Sequence, residues 1–113
     1  LGESTYLTPS DTAANVLLAN ATSSGKVYKI NQIVAANVDG ASAVNTTVAI
    51  NTTAAGGGTS YPIVSTVSVP ADASLIVTDK TTAIYLMENK SIVVTSGTAS
   101  KIAYTISYEV IES

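Results

Sequence analysis

Alternation of side chains with a period of two residues is the feature that most limits how this chain can fold. From Lys101 to Ile111, the residues Ile102, Tyr104, Ile106, Tyr108 and Val110 fall on one side, and Ala103, Thr105, Ser107 and Glu109 on the other. Successive side chains of a β-strand point to opposite faces, so this pattern predicts a half-buried strand; a helix would bring apolar residues back every three or four positions. The same period runs through Lys26 to Val38. It predicts one face carrying Tyr28, Ile30, Gln32, Val34, Ala36 and Val38, opposite Lys29, Asn31 and Asn37 with Val27 and Ile33 among them. Asp39-Gly40 follows, a dipeptide suited to tight turns, and then Val44, Thr46, Val48 and Ile50 alternate with Asn45, Thr47, Ala49 and Asn51. The expected unit is a long β-hairpin with Asp39-Gly40 at or near its tip.

Further strands are expected at Asn15 to Asn20, Tyr61 to Val69, Leu75 to Thr78, Ala83 to Met87 and Ser91 to Ser96. Asp79-Lys80 separates two of them. Pro62 lacks an N–H for a ladder, which puts it at a strand start or a sheet edge. Between Thr52 and Ser60 lies Ala54-Ala55-Gly56-Gly57-Gly58, where three glycines predict a flexible loop. Residues 1–14 show little periodicity and carry Pro9-Ser10-Asp11, so they read as an N-terminal arm or a first strand, ahead of a single domain at 15–113. No segment has the pattern of an amphipathic helix. The fold class is therefore all-β: an antiparallel β-sandwich of about seven or eight strands, jelly-roll or immunoglobulin-like, with an N-terminal arm.

Composition narrows the chemistry. Cys, His, Trp, Phe and Arg are all absent from the 113 residues. That removes disulfide scaffolds, ordinary zinc sites and Ser-His-Asp or Cys-His catalysis, so no cofactor, no metal and no enzymatic activity are expected. The carboxylates sit beside turn signals or on outward strand positions. Asp72 and Asp79, or Glu109 and Glu112, do not form a pair selected for glycoside hydrolysis. Asn37-Val38-Asp39-Gly40 has only the beginning of a calcium loop, and no Lys-Ser/Thr follows the triple glycine as a phosphate loop requires. Five lysines against eight acids give a net charge of −3. An acidic chain without Arg lacks the footprint for nucleic acid. Its apolar runs, such as Val16-Leu17-Leu18-Ala19, are far shorter than the ~18 residues that cross a bilayer as a helix. The chain opens on Leu1, not Met, in keeping with processing or trimming, and no basic-then-apolar leader opens it. Four Asn-x-Ser/Thr sequons, at Asn20, Asn45, Asn51 and Asn89, are expected by chance in a chain this rich in Ser and Thr.

The surface is the informative part. Only 12% of residues are charged, and the outward strand positions are Thr, Ser, Asn and Ala. Free sandwiches protect their edges and faces with charge, so these faces are expected to be covered by neighbouring subunits or to belong to a very stable extracellular particle, with plain solvation of Thr and Ser as the bland alternative. The candidate interface residues are Tyr6 and Leu7 in the arm, as an apolar anchor, and the loop Gly56, Gly57, Gly58, Thr59 and Ser60.

In the C-terminal half, Leu75-Ile76-Val77, Ile84-Tyr85-Leu86, Ser91-Ile92-Val93-Val94 and the closing Ile106-Ser107-Tyr108-Glu109-Val110-Ile111 follow one another in order. This succession resembles small β-sandwich virion proteins of tailed bacteriophages, over roughly Lys26 to Glu112. The turn Glu88-Asn89-Lys90 departs from the Gly-Asp of that pattern. The resemblance implies a non-enzymatic structural role in the virion, on the capsid exterior or tail, most simply as a decoration or cement protein. Its implied partners are further copies of itself, as trimers or other oligomers, and the major capsid protein or another virion protein. A neck, tail or fibre accessory subunit, a receptor- or carbohydrate-binding adhesin module and a pilin-like filament subunit are the competing expectations.

Overall fold

The computed structural model describes residues 2–78 and 84–112. Among these are nine strands: β1 (Gly2–Leu7), β2 (Asn15–Asn20), β3 (Lys26–Asn37), β4 (Val44–Asn51), β5 (Ser60–Val69), β6 (Ser74–Thr78), β7 (Ile84–Leu86), β8 (Lys90–Ser96) and β9 (Ile102–Glu112). The expected Asp79-Lys80 turn and the start of a strand at Ala83 lie outside the described residues.

The strands form two antiparallel sheets. One runs β1-β9-β3-β6, with β7 also paired to β3; the other runs β2-β8-β4-β5. Successive strands cross repeatedly from one sheet to the other, and only β4 to β5 is a direct hairpin. That wrapping order is a jelly roll, which resolves the choice left open by the sequence. The side chains of Ile30, Ile33, Tyr104 and Ile106 from the first sheet meet Val48, Ile92 and Val94 from the second in a single apolar layer. Tyr104 spans it. Its hydroxyl donates to the Thr95 carbonyl across the sandwich at 3.1 Å and shares a second hydrogen bond with the buried Thr46 hydroxyl. Burial pushes the Tyr104 phenol above its usual range, against the opposing effect of the Thr46 hydrogen bond.

Two expectations need correction, and one open choice is decided. First, β3 and β4 do not form a hairpin; they belong to different sheets. Asp39-Gly40 sits in a crossover loop, where the Asp39 carboxylate accepts from the N–H groups of Ala41 at 2.9 Å and Ser42 at 3.3 Å. The Ala41 bond in particular holds the Asp39 pKa below its usual value. Second, β3 changes face partway along. Ile30 pairs with Tyr108 and Gln32 with Ser107, leaving Asn31 as the extra residue of a β-bulge. Ile30 is buried before the bulge, and Ile33, Ala35 and Asn37 after it, so Val34 and Ala36 point outward. A uniform period of two put these on the wrong side. The open choice concerns residues 1–14, read as an arm or a first strand: their first half is a strand. Gly2–Leu7 pairs in register with Glu109 to Tyr104 of β9, and the following loop is held where the Ser100 N–H donates to the Pro9 carbonyl at 2.8 Å.

The edge strand β5 carries Pro62 and two irregularities against β4. At one of them Thr66 adopts φ 51° and its N–H donates to the Thr47 hydroxyl at 2.9 Å. Bulges and proline interrupt the open ladder along this edge and oppose strand addition there.

Candidate functional site

The candidate anchor Tyr6-Leu7 divides across the sheet. Consecutive residues of β1 point to opposite faces, so Leu7 packs against the core while Tyr6 stands 78% exposed on the outer face. Tyr6 lies one position from the end of β1 that meets Tyr104, whereas Ser60 pairs with Asn51 at the far end of the other sheet. The structure does not bring Tyr6 and the glycine loop together.

The loop between β4 and β5 is not the flexible segment its glycines predict. Asn51, the last residue of β4, is 1% exposed and organises it. Its side-chain amide donates to the Gly56 carbonyl at 3.1 Å, the Gly58 carbonyl at 3.3 Å and the Ser60 hydroxyl at 3.0 Å. Its oxygen accepts from the Thr53 N–H at 3.0 Å and the Gly58 N–H at 3.0 Å. The loop then folds back onto the outer face of its own sheet. A side chain on Gly56, which has φ 82°, would meet Val16 Cγ2 at 3.0 Å and Val93 Cγ1 at 3.3 Å. Val93 and Ala49 are outward residues of β8 and β4, yet they are 5% and 3% exposed. Glycine is used here for close approach, and the result covers apolar surface.

Asn51 belongs to a set that the sequence reading missed. β2, β3 and β4 each end on a buried asparagine: Asn20, Asn37 and Asn51. Asn20 donates to the carbonyls of Lys26 at 2.8 Å and Leu86 at 3.0 Å, and Asn37 to those of Ser42 at 3.0 Å and Val69 at 2.9 Å. Each side chain supplies hydrogen bonds to backbone groups where ladders stop, where an unmet polar group is costly. The sequence signal was available as Asn-Val-Asp and Asn-Thr-Thr at strand ends, since Asn37 and Asn51 each accept from the N–H two residues on. The amides of sequons Asn20 and Asn51 are thus engaged inside the fold, whereas Asn45 and Asn89 are exposed.

Among the described residues, the outer face of the β1-β9-β3-β6 sheet has no comparable cover. Its rows can be read from the register. Gly2, Glu109, Lys29 and Tyr85 form one row. Ser4, Ser107 and Gln32 form the next. Tyr6, Thr105, Val34 and Ile76 form a third, and Ala103, Ala36 and Ser74 a fourth. Lys29 and Glu109 are the only charged residues in these rows. Of the eight large hydrophobic residues exposed among the described residues, Tyr6, Ile76, Tyr85 and Ile111 project from this face. Thr105 is exposed at its centre. Among the described residues there is no group of His, Cys, Asp and Glu that could hold a metal ion. The arrangement offers a broad contact surface with hydroxyl and apolar groups and no paired acid and base directed at a cleft.

No protein-family model matches the chain. A comparison with curated proteins found no significant match either.

Proposed function

We propose that this chain is a non-enzymatic structural subunit of a virion, a decoration or cement protein on the head of a tailed phage, acting by burial of its exposed sheet face against neighbours. The observation that carries the reading is the contrast between two outer faces of one small jelly roll. One is covered in part by the protein's own glycine loop, which leaves Val93 and Ala49 buried, while the other presents Tyr6, Thr105, Val34 and Ile76 in a row without charge. Contiguous exposed apolar surface of this kind marks interaction sites. Jelly rolls are used by viral coat subunits as well as by lectins and cupins. A cupin-type metal centre would ordinarily draw on histidine, which this chain lacks. A sugar platform would need aromatic rings side by side, whereas Tyr6 and Tyr85 stand in different rows on opposite edge strands. Repetition of a modest contact over a lattice supplies avidity that a single contact does not.

The test is made on particles. Mass spectrometry of purified virions should find the chain at many copies, and an antibody to it should label heads in preference to tails. Particles from a deletion strain should lose DNA at lower temperature. Virions that lack the chain, or deletion particles of unchanged stability, would refute the cementing role; label confined to necks or fibres would move the protein to an accessory position there.

A further inference from the structure

We propose that the outer face of the β1-β9-β3-β6 sheet is the interface of a symmetric homodimer, with a two-fold axis lying in the interface and running between β9 and β3. The proposal rests on the reading that this face is the working surface, and it names the occupant as a second copy of the chain.

Symmetry and register carry the argument. In an isologous contact, residue i meets residue j of the partner and residue j meets residue i. An axis along the boundary between the two central strands exchanges β9 with β3 and β1 with β6 or β7. In the row Gly2-Glu109-Lys29-Tyr85, this places Lys29 opposite the partner's Glu109, twice over by symmetry. The same operation sets the bulk of Tyr85 over the partner's Gly2, which has no side chain. In the row Tyr6-Thr105-Val34-Ile76, Thr105 meets the partner's Val34 and Tyr6 meets the partner's Ile76, pairing apolar groups at both margins. The face is therefore complementary to itself in charge and, at Gly2, in shape. The alternative of two like faces in any arrangement that puts Lys29 on Lys29 forfeits both matches.

Net charge points the same way. Each chain carries −3, so two copies repel over most of their surfaces. These rows hold one positive and one negative residue, so the face itself carries no net charge. Area sets the strength. Four strands about 4.8 Å apart and about nine residues long give a face of roughly 19 by 30 Å, or about 1,100 Å² over both copies. That is at the lower margin of specific interfaces, so association on the order of micromolar is expected, not a permanent dimer.

Sedimentation equilibrium of the isolated chain, from about 1 µM to about 1 mM, reads the equilibrium. A monomer–dimer system is expected. Lys29→Glu and Glu109→Lys each create two like-charge contacts and should each weaken dimerisation by about tenfold or more. Mixed in equal amounts, the two variants should associate again as a heterodimer, because Glu at 29 of one copy then faces Lys at 109 of the other, while each chain alone still carries its like-charged neighbours. Restoration on mixing separates contact between copies from contact within one. Thr105→Lys, at an exposed position away from the core, should abolish the dimer while leaving circular dichroism and melting unchanged. A wild-type chain that stays monomeric throughout, a trimer, a dimer indifferent to these changes, or single variants that fail to recover on mixing would each overturn the proposal. The two readings fail separately: a monomer found on virions sinks the dimer alone, and a dimer absent from virions sinks the virion role alone.

Discussion

Replacing Gly58 by alanine adds one methyl group where the fold has no space for it. The new Cβ would collide with Thr52 Oγ1 and lie 2.9 Å from Thr53 Cγ2 and 3.2 Å from Asn51 Oδ1. Thr52 cannot simply rotate away, because its hydroxyl accepts from the Thr59 N–H at 2.9 Å. The Gly58 N–H is itself held by Asn51 Oδ1 at 3.0 Å and Thr53 Oγ1 at 3.1 Å. Relief of the clash therefore loses at least one hydrogen bond worth about 1 kcal/mol, on top of ~1–3 kcal/mol for overpacking. The expected loss is about 2–4 kcal/mol, which for a domain of this size lowers Tm by roughly 10 °C. Gly57 is the control next door. A Cβ there meets nothing within 4 Å and its φ is outside the left-handed region, so Gly57→Ala should be neutral or stabilising by about 0.4–1 kcal/mol. Gly56→Ala should fall between the two, since it meets Val16 at 3.0 Å from a φ of 82°. Urea unfolding of the three variants measures the order. If Gly57→Ala cost as much as Gly58→Ala, or if all three were silent, the loop would be the flexible linker its composition suggests and the account of Asn51 as its organiser would be wrong.

Other consequences can be checked on the same material. Asn51→Ala should cost about 3 kcal/mol or more, because it strips partners from the Gly58 N–H and from two loop carbonyls at once; Asn51→Asp, which keeps the acceptor and loses the donor, should also destabilise, and a silent Asp variant would refute the donor role. Tyr104→Phe should cost about 1–2 kcal/mol in urea unfolding by leaving the Thr46 hydroxyl and Thr95 carbonyl unmatched inside the sandwich. Because the folded phenol titrates above the ordinary tyrosine value of about 10, its contribution to stability is full below that value and is lost as pH rises from there through the raised folded value. The wild type should therefore destabilise more steeply than the Phe variant between neutral and strongly alkaline pH, and parallel profiles would sink the linkage.

The strands of this protein were largely legible in its sequence, because alternation is a local consequence of half-burial. β9 shows this best: Ile102, Tyr104 and Ile106 are inward and buried as the pattern requires. Partnership was not legible. Asp39-Gly40 carries the same turn chemistry whether the chain doubles back in one sheet or crosses to the other, and only the packing of distant strands decides. The bulge at Asn31 was hidden for a related reason, since one inserted residue changes the phase without changing composition. The candidate surface was half legible. Tyr6 was identifiable as an unexplained aromatic, but Thr105, Val34 and Ile76 join it through a register that no local pattern displays. The glycine loop misled because three glycines signal conformational freedom in the unfolded chain and equally permit close approach in the folded one.

The position of β9 has a consequence for how the molecule comes into being. Among the described residues β1 pairs only with β9, and β9 also forms the long central ladder with β3, from Lys26 against Glu112 to Asn37 against Ile102. Emerging from the ribosome, the chain can close neither β1 nor the β9 side of β3 until β9 is free. Completion of this sheet then waits on non-local pairing, in the milliseconds-to-seconds range of such β topologies. Until that moment β1 and the β9 side of β3 stay unpaired, and a chaperone or rapid capture into an assembly has its greatest effect during this interval.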